Sequence, residues 1–202
     1  MPPPARWGEP QPGPLTRLLA RARSILSIPE RRPAEGLRPL PVALRRGELA
    51  ATYLHATADG DHRRAAVAAT TAMERAVAAG DWWPADIWGH RALWHFERAG
   101  MELAATRAAR LIGDLRVAAG DPASSRRYYA EAISEARDIG AEREEGLAAL
   151  GMGRAALQMS DVTSARRLAA IAADLLERGG APQEEVAAAR ELRGEEKVAG
   201  GG

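Results

Sequence analysis

The residue types that most often carry chemistry are few in this sequence and poorly spaced for it. The four histidines are His55, His62, His90 and His95. His90 and His95 are five residues apart, which on a helix places them on different faces and works against a two-histidine metal site. Asp86 and His90 stand at i, i+4 and can pair, but no nucleophile accompanies them. Cysteine is absent, which removes disulfides, thiol catalysis and thiolate metal ligation. Gly151-Met152-Gly153 has the look of a phosphate-loop fragment, yet it lies in helical sequence, with no strand before it and no Lys-Ser/Thr after it. Close helix packing is the better reason for those glycines. The expectation is a non-enzymatic chain with no catalytic residues, no metal ligands and no cofactor.

Binding chemistry is better represented. The stretch from Trp82 to Phe96 holds four of the five tryptophans (Trp82, Trp83, Trp88 and Trp94) and the only phenylalanine. On a helix Trp83, Ile87 and Trp94 share one side while Trp88 and Phe96 point elsewhere, so one packing face cannot take them all. Either the rings supply bulk between small neighbours, or some stay exposed as anchors for a partner or a second copy of the chain.

The elements that position these residues are marked by a ladder of turns. Gly60-Asp61, Gly80-Asp81, Gly100, Gly120-Asp121, Gly140, Ser160-Asp161 and Gly180 fall on one count of twenty. Gly just past a helix end supplies the left-handed conformation that closes it, and the following Asp accepts hydrogen bonds from the free amides of the next helix. The spacing predicts helices at about 42–58, 62–79, 82–99, 102–119, 122–139, 142–159 and 162–178, with a last one after Pro182. Within them Ala165, Leu168, Ala169, Ala172, Leu175 and Leu176 form one apolar stripe, as do Tyr128, Tyr129, Ala132, Ile133, Ala136 and Ile139. Connections this short allow only antiparallel neighbours. The fold class expected is all-α, an α-α superhelix (a solenoid of antiparallel helical hairpins, seven or eight helices).

Composition agrees. Hydrophobic residues make up 46%, but 45 residues are Ala and aromatics are only 4%, so the helices must pack closely through small side chains. No apolar run is long enough to span a bilayer, and the Pro-rich start lacks a signal-peptide core, so a cytoplasmic location is expected. Residues 1–47 hold nine Arg against three Glu, a local +6 in a chain of net +1, which leaves the array acidic. Nucleic-acid binding is therefore not expected. The preference for Arg over the single Lys197 reads as a coding bias of a GC-rich bacterium.

Residues 1–41 contain ten of the thirteen prolines and are expected to be largely irregular. A short amphipathic helix near 14–27 interrupts them, with Leu15, Leu18, Leu19, Ala22, Ile25 and Leu26 on one face and Arg17, Arg21 and Arg23 off it. It suits either a cap on the array or a peripheral contact with anionic membrane. The repeat domain is expected over 42–194, followed by a flexible Gly-rich tail at 195–202.

The region 60–195 resembles the tetratricopeptide repeat family, in its forty-residue kinesin-light-chain-like form. The resemblance rests on the turns at Gly80-Asp81, Gly120-Asp121 and Ser160-Asp161, on Ile112-Gly113 and Met152-Gly153 seven residues ahead, and on Ala85, Ser125 and Ala165 followed by Ala92, Ala132 and Ala172. The family's large aromatics are thinned to Tyr129. The resemblance implies that the first helix of each hairpin lines a concave groove. That groove would present Val67, Thr70 and Glu74, then Arg107, Arg110 and Asp114, then Leu147, Leu150, Arg154 and Leu157, then Arg190. It implies a protein–protein interaction scaffold or adaptor that binds a partner protein or peptide, with arginines on successive helices suited to acidic groups. A peptide-sensing regulator and a membrane-recruited assembly factor are the alternative readings.

Overall fold

The computed structural model describes residues 39–194. The expectations for the segment with a helix near 14–27, and for the tail at 195–202, lie outside the described residues.

Eight α-helices follow one another in this region: α1 (Glu48–Ala58), α2 (His62–Ala78), α3 (Trp82–Arg98), α4 (Glu102–Ala118), α5 (Pro122–Asp138), α6 (Glu142–Gln158), α7 (Val162–Arg178) and α8 (Gln183–Arg193). No strand occurs among the described residues. Each helix packs on the next, and the closest approaches between alternate helices are α4 with α6 and α6 with α8. The result is an α-α solenoid of two layers. Its inner layer is α2, α4, α6 and α8, the side on which alternate helices converge.

The turns behave as their residues dictate. Gly60, Gly80, Gly100, Gly120, Gly140, Ser160 and Gly180 all take φ between 63° and 81°. At each one the next residue's N–H reaches back to the carbonyl five residues earlier, from Asp61 to Ala56 through to Ala181 to Leu176, at 2.7–3.0 Å. This bond satisfies a carbonyl that the ended helix leaves open and turns the chain back on itself. Ser160 is the only described non-glycine residue with positive φ, so the geometry of the turn overrides the preference of the side chain.

Three local expectations need correction. Asp61, Asp121 and Asp161 accept from the backbone N–H of Arg64, Ser124 and Ser164, but Asp81 makes no side-chain cap bond. The helix expected from Val42 to Ala58 is broken. Val42–Leu44 is a 3₁₀ turn, and α1 starts only after Gly47, whose φ of 91° cannot continue a helix. The five helices α2 to α6 each end one residue earlier than read, because the residue before the turn acts as the cap, as Ala79 does for α2, whereas α7 ends at Arg178 as expected.

The core is built from Ala lines and a few wedges. Ala65, Ala69, Ala109, Ala132, Ala149, Ala169 and Ala172 are fully covered. Both apolar stripes face inward, apart from a half-buried Ile139. One such wedge is Tyr129 of α5, whose ring lies between Gly113 of α4 and Gly151 of α6. A Cβ at Gly113 would stand 2.8 Å from that ring, and one at Gly151 only 2.5 Å. Gly153 is likewise closed in by Leu192, Ala165 and Leu168. Overpacking of this kind costs about 1–3 kcal/mol, against a helix-propensity gain of about 1 kcal/mol for Gly to Ala. Gly151→Ala is therefore expected to lower the urea midpoint, and the same substitution made in a Tyr129→Leu background should cost less than it does in the wild type.

Candidate functional site

The inner face is organised by α4 and α6, which touch. Arg107, Arg110 and Asp114 sit at i, i+3 and i+7 on α4, and Leu147, Leu150, Arg154 and Leu157 keep the same spacing on α6. The α4 arginines are not free cations. Arg107 Nε donates to Glu144 Oε1 at 2.7 Å, and Arg110 Nε donates to Glu144 Oε2 at 3.4 Å. A second nitrogen of Arg110 reaches Asp114 Oδ2 at 2.7 Å, and the Tyr129 hydroxyl donates to Asp114 Oδ1 at 2.8 Å. Two arginines thus face two carboxylates, and the quartet is neutral. Burial, followed by the Asp114 charge and hydrogen bond, pushes the Tyr129 phenol far above its ordinary value.

Glu144 is the residue that sequence reasoning missed. It stands in the first turn of α6, where the helix dipole also favours a carboxylate, and its side chain is only 7% exposed. The signal for it was weak: it lies three residues short of the forty-residue equivalent of Arg107, one helical turn earlier on the next inner helix.

The other groove residues divide. Arg154 is exposed, has no ion-pair partner among the described residues, and lies close enough to Tyr129 for its charge to act on the phenol. Leu157, one turn further along, is 46% exposed, and Leu147 is half-buried. Leu150 is buried in the core instead of lining the face. Arg190 is exposed but pairs with Glu177 of α7 at 2.5 Å, so it is drawn to the outer layer rather than joining the α4 arginines. A different inner-layer pair, Arg143 with Glu185 at 2.6 Å, ties α6 to α8. On α2, Val67 and Glu74 are exposed and Thr70 bonds back to the Ala66 carbonyl.

The aromatic helix α3 also divides. Trp88 and Phe96 are buried, Trp94 and Ile87 are half-buried, and Trp82 and Trp83 stay exposed at the first two positions. His90 Nδ1 donates to the Asp86 carbonyl and its Nε2 faces the Tyr128 hydroxyl at 2.7 Å. Asp86 itself is drawn to Arg116 of α4. His95, fully covered, meets a residue 33 positions away: His62 Nδ1 lies 2.9 Å from His95 Nδ1. Sequence spacing carried no sign of this pair, because it is made across the α2–α3 hairpin.

Two clusters of ligand-type atoms stand among the described residues. The His62 and His95 ring centroids are 5.1 Å apart, further than the nitrogens by about one ring diameter. Both nitrogens therefore lie between the rings and face each other, as in a direct N–H···N bond, instead of converging on a shared ion. Glu97, Glu131 and Glu135 bring carboxylate oxygens within 4.8 Å of one another, a spacing that could hold a cation, and each of the three has an interaction of its own. No protein-family model matches the chain, and no curated protein matches it in sequence.

Removing Glu144 takes from Arg107 and Arg110, neighbours one turn apart on α4, the carboxylate they share across the α4–α6 seam, and leaves Arg110 with Asp114. Hydrogen bonds to charged groups contribute about 1.5–3 kcal/mol, so Glu144→Ala should lower unfolding free energy in urea by about 2 kcal/mol. Arg107→Ala, whose side chain is half exposed, is expected to cost less than about 1 kcal/mol.

Proposed function

We propose that this chain is a non-enzymatic scaffold whose inner face binds an extended segment of a partner protein or peptide. The reading rests on Arg154 and Leu157 of α6, an unpaired cation and an apolar side chain exposed one turn apart on the inner layer. Beyond α1, the large apolar side chains left exposed on the inner layer are Val67, Val77, Leu103 and Leu157. The outer helices offer only Trp82, Trp83 and Val162, all at their first two positions. Such a face desolvates apolar side chains of a ligand while the guanidinium orients an acidic group beside them. A row of packed helices loses little conformational entropy on binding. Arg107 and Arg110, already neutralised, shape the rim. The tetratricopeptide-like repeat pattern and work in a bacterial cytoplasm belong to the same reading.

The test uses a fluorescent peptide library of acidic residues next to Leu or Ile, read by anisotropy. Losing one charge-assisted bond of about 1.5–3 kcal/mol corresponds to a roughly ten- to hundred-fold weaker Kd. Arg154→Glu and Leu157→Asp should each weaken the best peptide by at least that lower bound with the melting temperature unchanged. Arg167→Glu, an exposed residue of the outer helix α7, should leave it alone. Equal affinity for wild type and Arg154→Glu would remove the proposal.

A further inference from the structure

The polar groups buried between α1, α2 and α3 form one connected chain. Arg91 donates from a terminal nitrogen to the Tyr53 hydroxyl oxygen at 3.0 Å, and that hydroxyl lies 3.2 Å from His95 Nε2. His95 Nδ1 in turn meets His62 Nδ1 at 2.9 Å. Tyr53 is 2% exposed, so its O–H needs an acceptor, and His95 Nε2 is the one within reach. With that proton on the hydroxyl, His95 carries its own proton on Nδ1 and donates it to His62. Every bond in the chain is then made once, and His95 is neutral.

The surroundings select that neutral state. Trp94 stands edge-on to His95 at 4.7 Å, and Tyr53 at 5.4 Å. The charges that act on His95 are His62 from α2 and Arg91 from its own helix, both positive when charged, while α1 brings only the Tyr53 hydroxyl. Among the described residues no carboxylate of α1, α2 or α4 acts on it to hold an added proton. A second proton on His95, at Nε2, would remove the acceptor that Tyr53 uses and set a cation against Arg91. It would do so at the seam that seats α1, since Tyr53 is the largest fully buried side chain of that helix and packs edge-on to Trp88 at 5.2 Å.

We propose that the Tyr53–His95–His62 chain is an acid-sensitive latch that seats α1 on α3 and releases it when His95 takes up a proton. Burial, then His62, then Arg91, lower His95 from 6.5 to about 4. Once α1 is released, His95 regains water and titrates nearer 6.5. Between those values the released form binds more protons than the latched one. The latch is therefore at full strength above about pH 6.5 and weakens as pH falls towards about 4. Release uncovers the Trp88 ring and the outer end of α3, and leaves the α4–α6 face intact.

The test is hydrogen exchange by mass spectrometry on the full chain at about pH 7 and about pH 4.5, with rates corrected for intrinsic exchange. Expected is at least a tenfold loss of protection in residues 48–58 on acidification, while α6 and α7 keep theirs. His95→Gln, neutral at both values, should show no such acid step. Tyr53→Phe keeps the ring but removes the hydroxyl, and should expose α1 at about pH 7 already. Protection of α1 that persists in the wild type at about pH 4.5 would overturn the latch. So would an acid step of the same size in His95→Gln, or a loss spread evenly over all helices.

Discussion

The interaction on which the whole structure depends is the backbone bond that closes each turn. A residue in the left-handed region follows every helix from α1 to α7, and the next amide reaches back five residues to an otherwise open carbonyl. Because each turn is the same and α2 to α7 are each 17 residues long, one operation repeats along the chain. Two consequences follow. Helices alternate between two layers, and equivalent positions recur every forty residues. The inner face, its arginines and its exposed leucine all inherit their positions from that repetition.

Close packing adds the second constraint. Ala against Ala lets helices approach, but leaves little to decide how they are registered. Register comes from the exceptions: Tyr129 passes between Gly113 and Gly151, and Leu176 closes on Gly146. The ring of Tyr129 thereby does two things. It fills the space left by two glycines, and it delivers a hydroxyl to Asp114, which in turn holds Arg110. A packing solution becomes an electrostatic one within a single side chain, and what is left over on the surface is Arg154.

The two ends of the region are built differently. From α4 onward, ion pairs such as Arg107–Glu144 and Arg143–Glu185 run between inner helices, each with a half-exposed arginine on a more covered carboxylate. At α1 to α3 the joining groups are buried and aromatic, with two imidazoles and a tyrosine in one chain. Exposed ion pairs vary little over the neutral range, whereas a covered imidazole must stay neutral or lose its partner. The acid response proposed for the Tyr53–His95–His62 chain thus belongs to the α1–α3 seam.

Sequence alone determined what depends on neighbours along the chain. Turn residues, caps at Asp61, Asp121 and Asp161, the near-equal lengths of α2 to α7 and the apolar stripes are local, so periodicity reveals them. Only the tertiary structure decided which charges are spent on each other. Glu144 pairs with two arginines from 34 and 37 residues away, Arg190 turns to Glu177, Leu150 goes inward, and His62 meets His95 across a hairpin. The reason is physical. Helical spacing tells which way a side chain points, but its pairing depends on the distance and offset between helices, and those are set by glycines and rings that meet only once the array has packed.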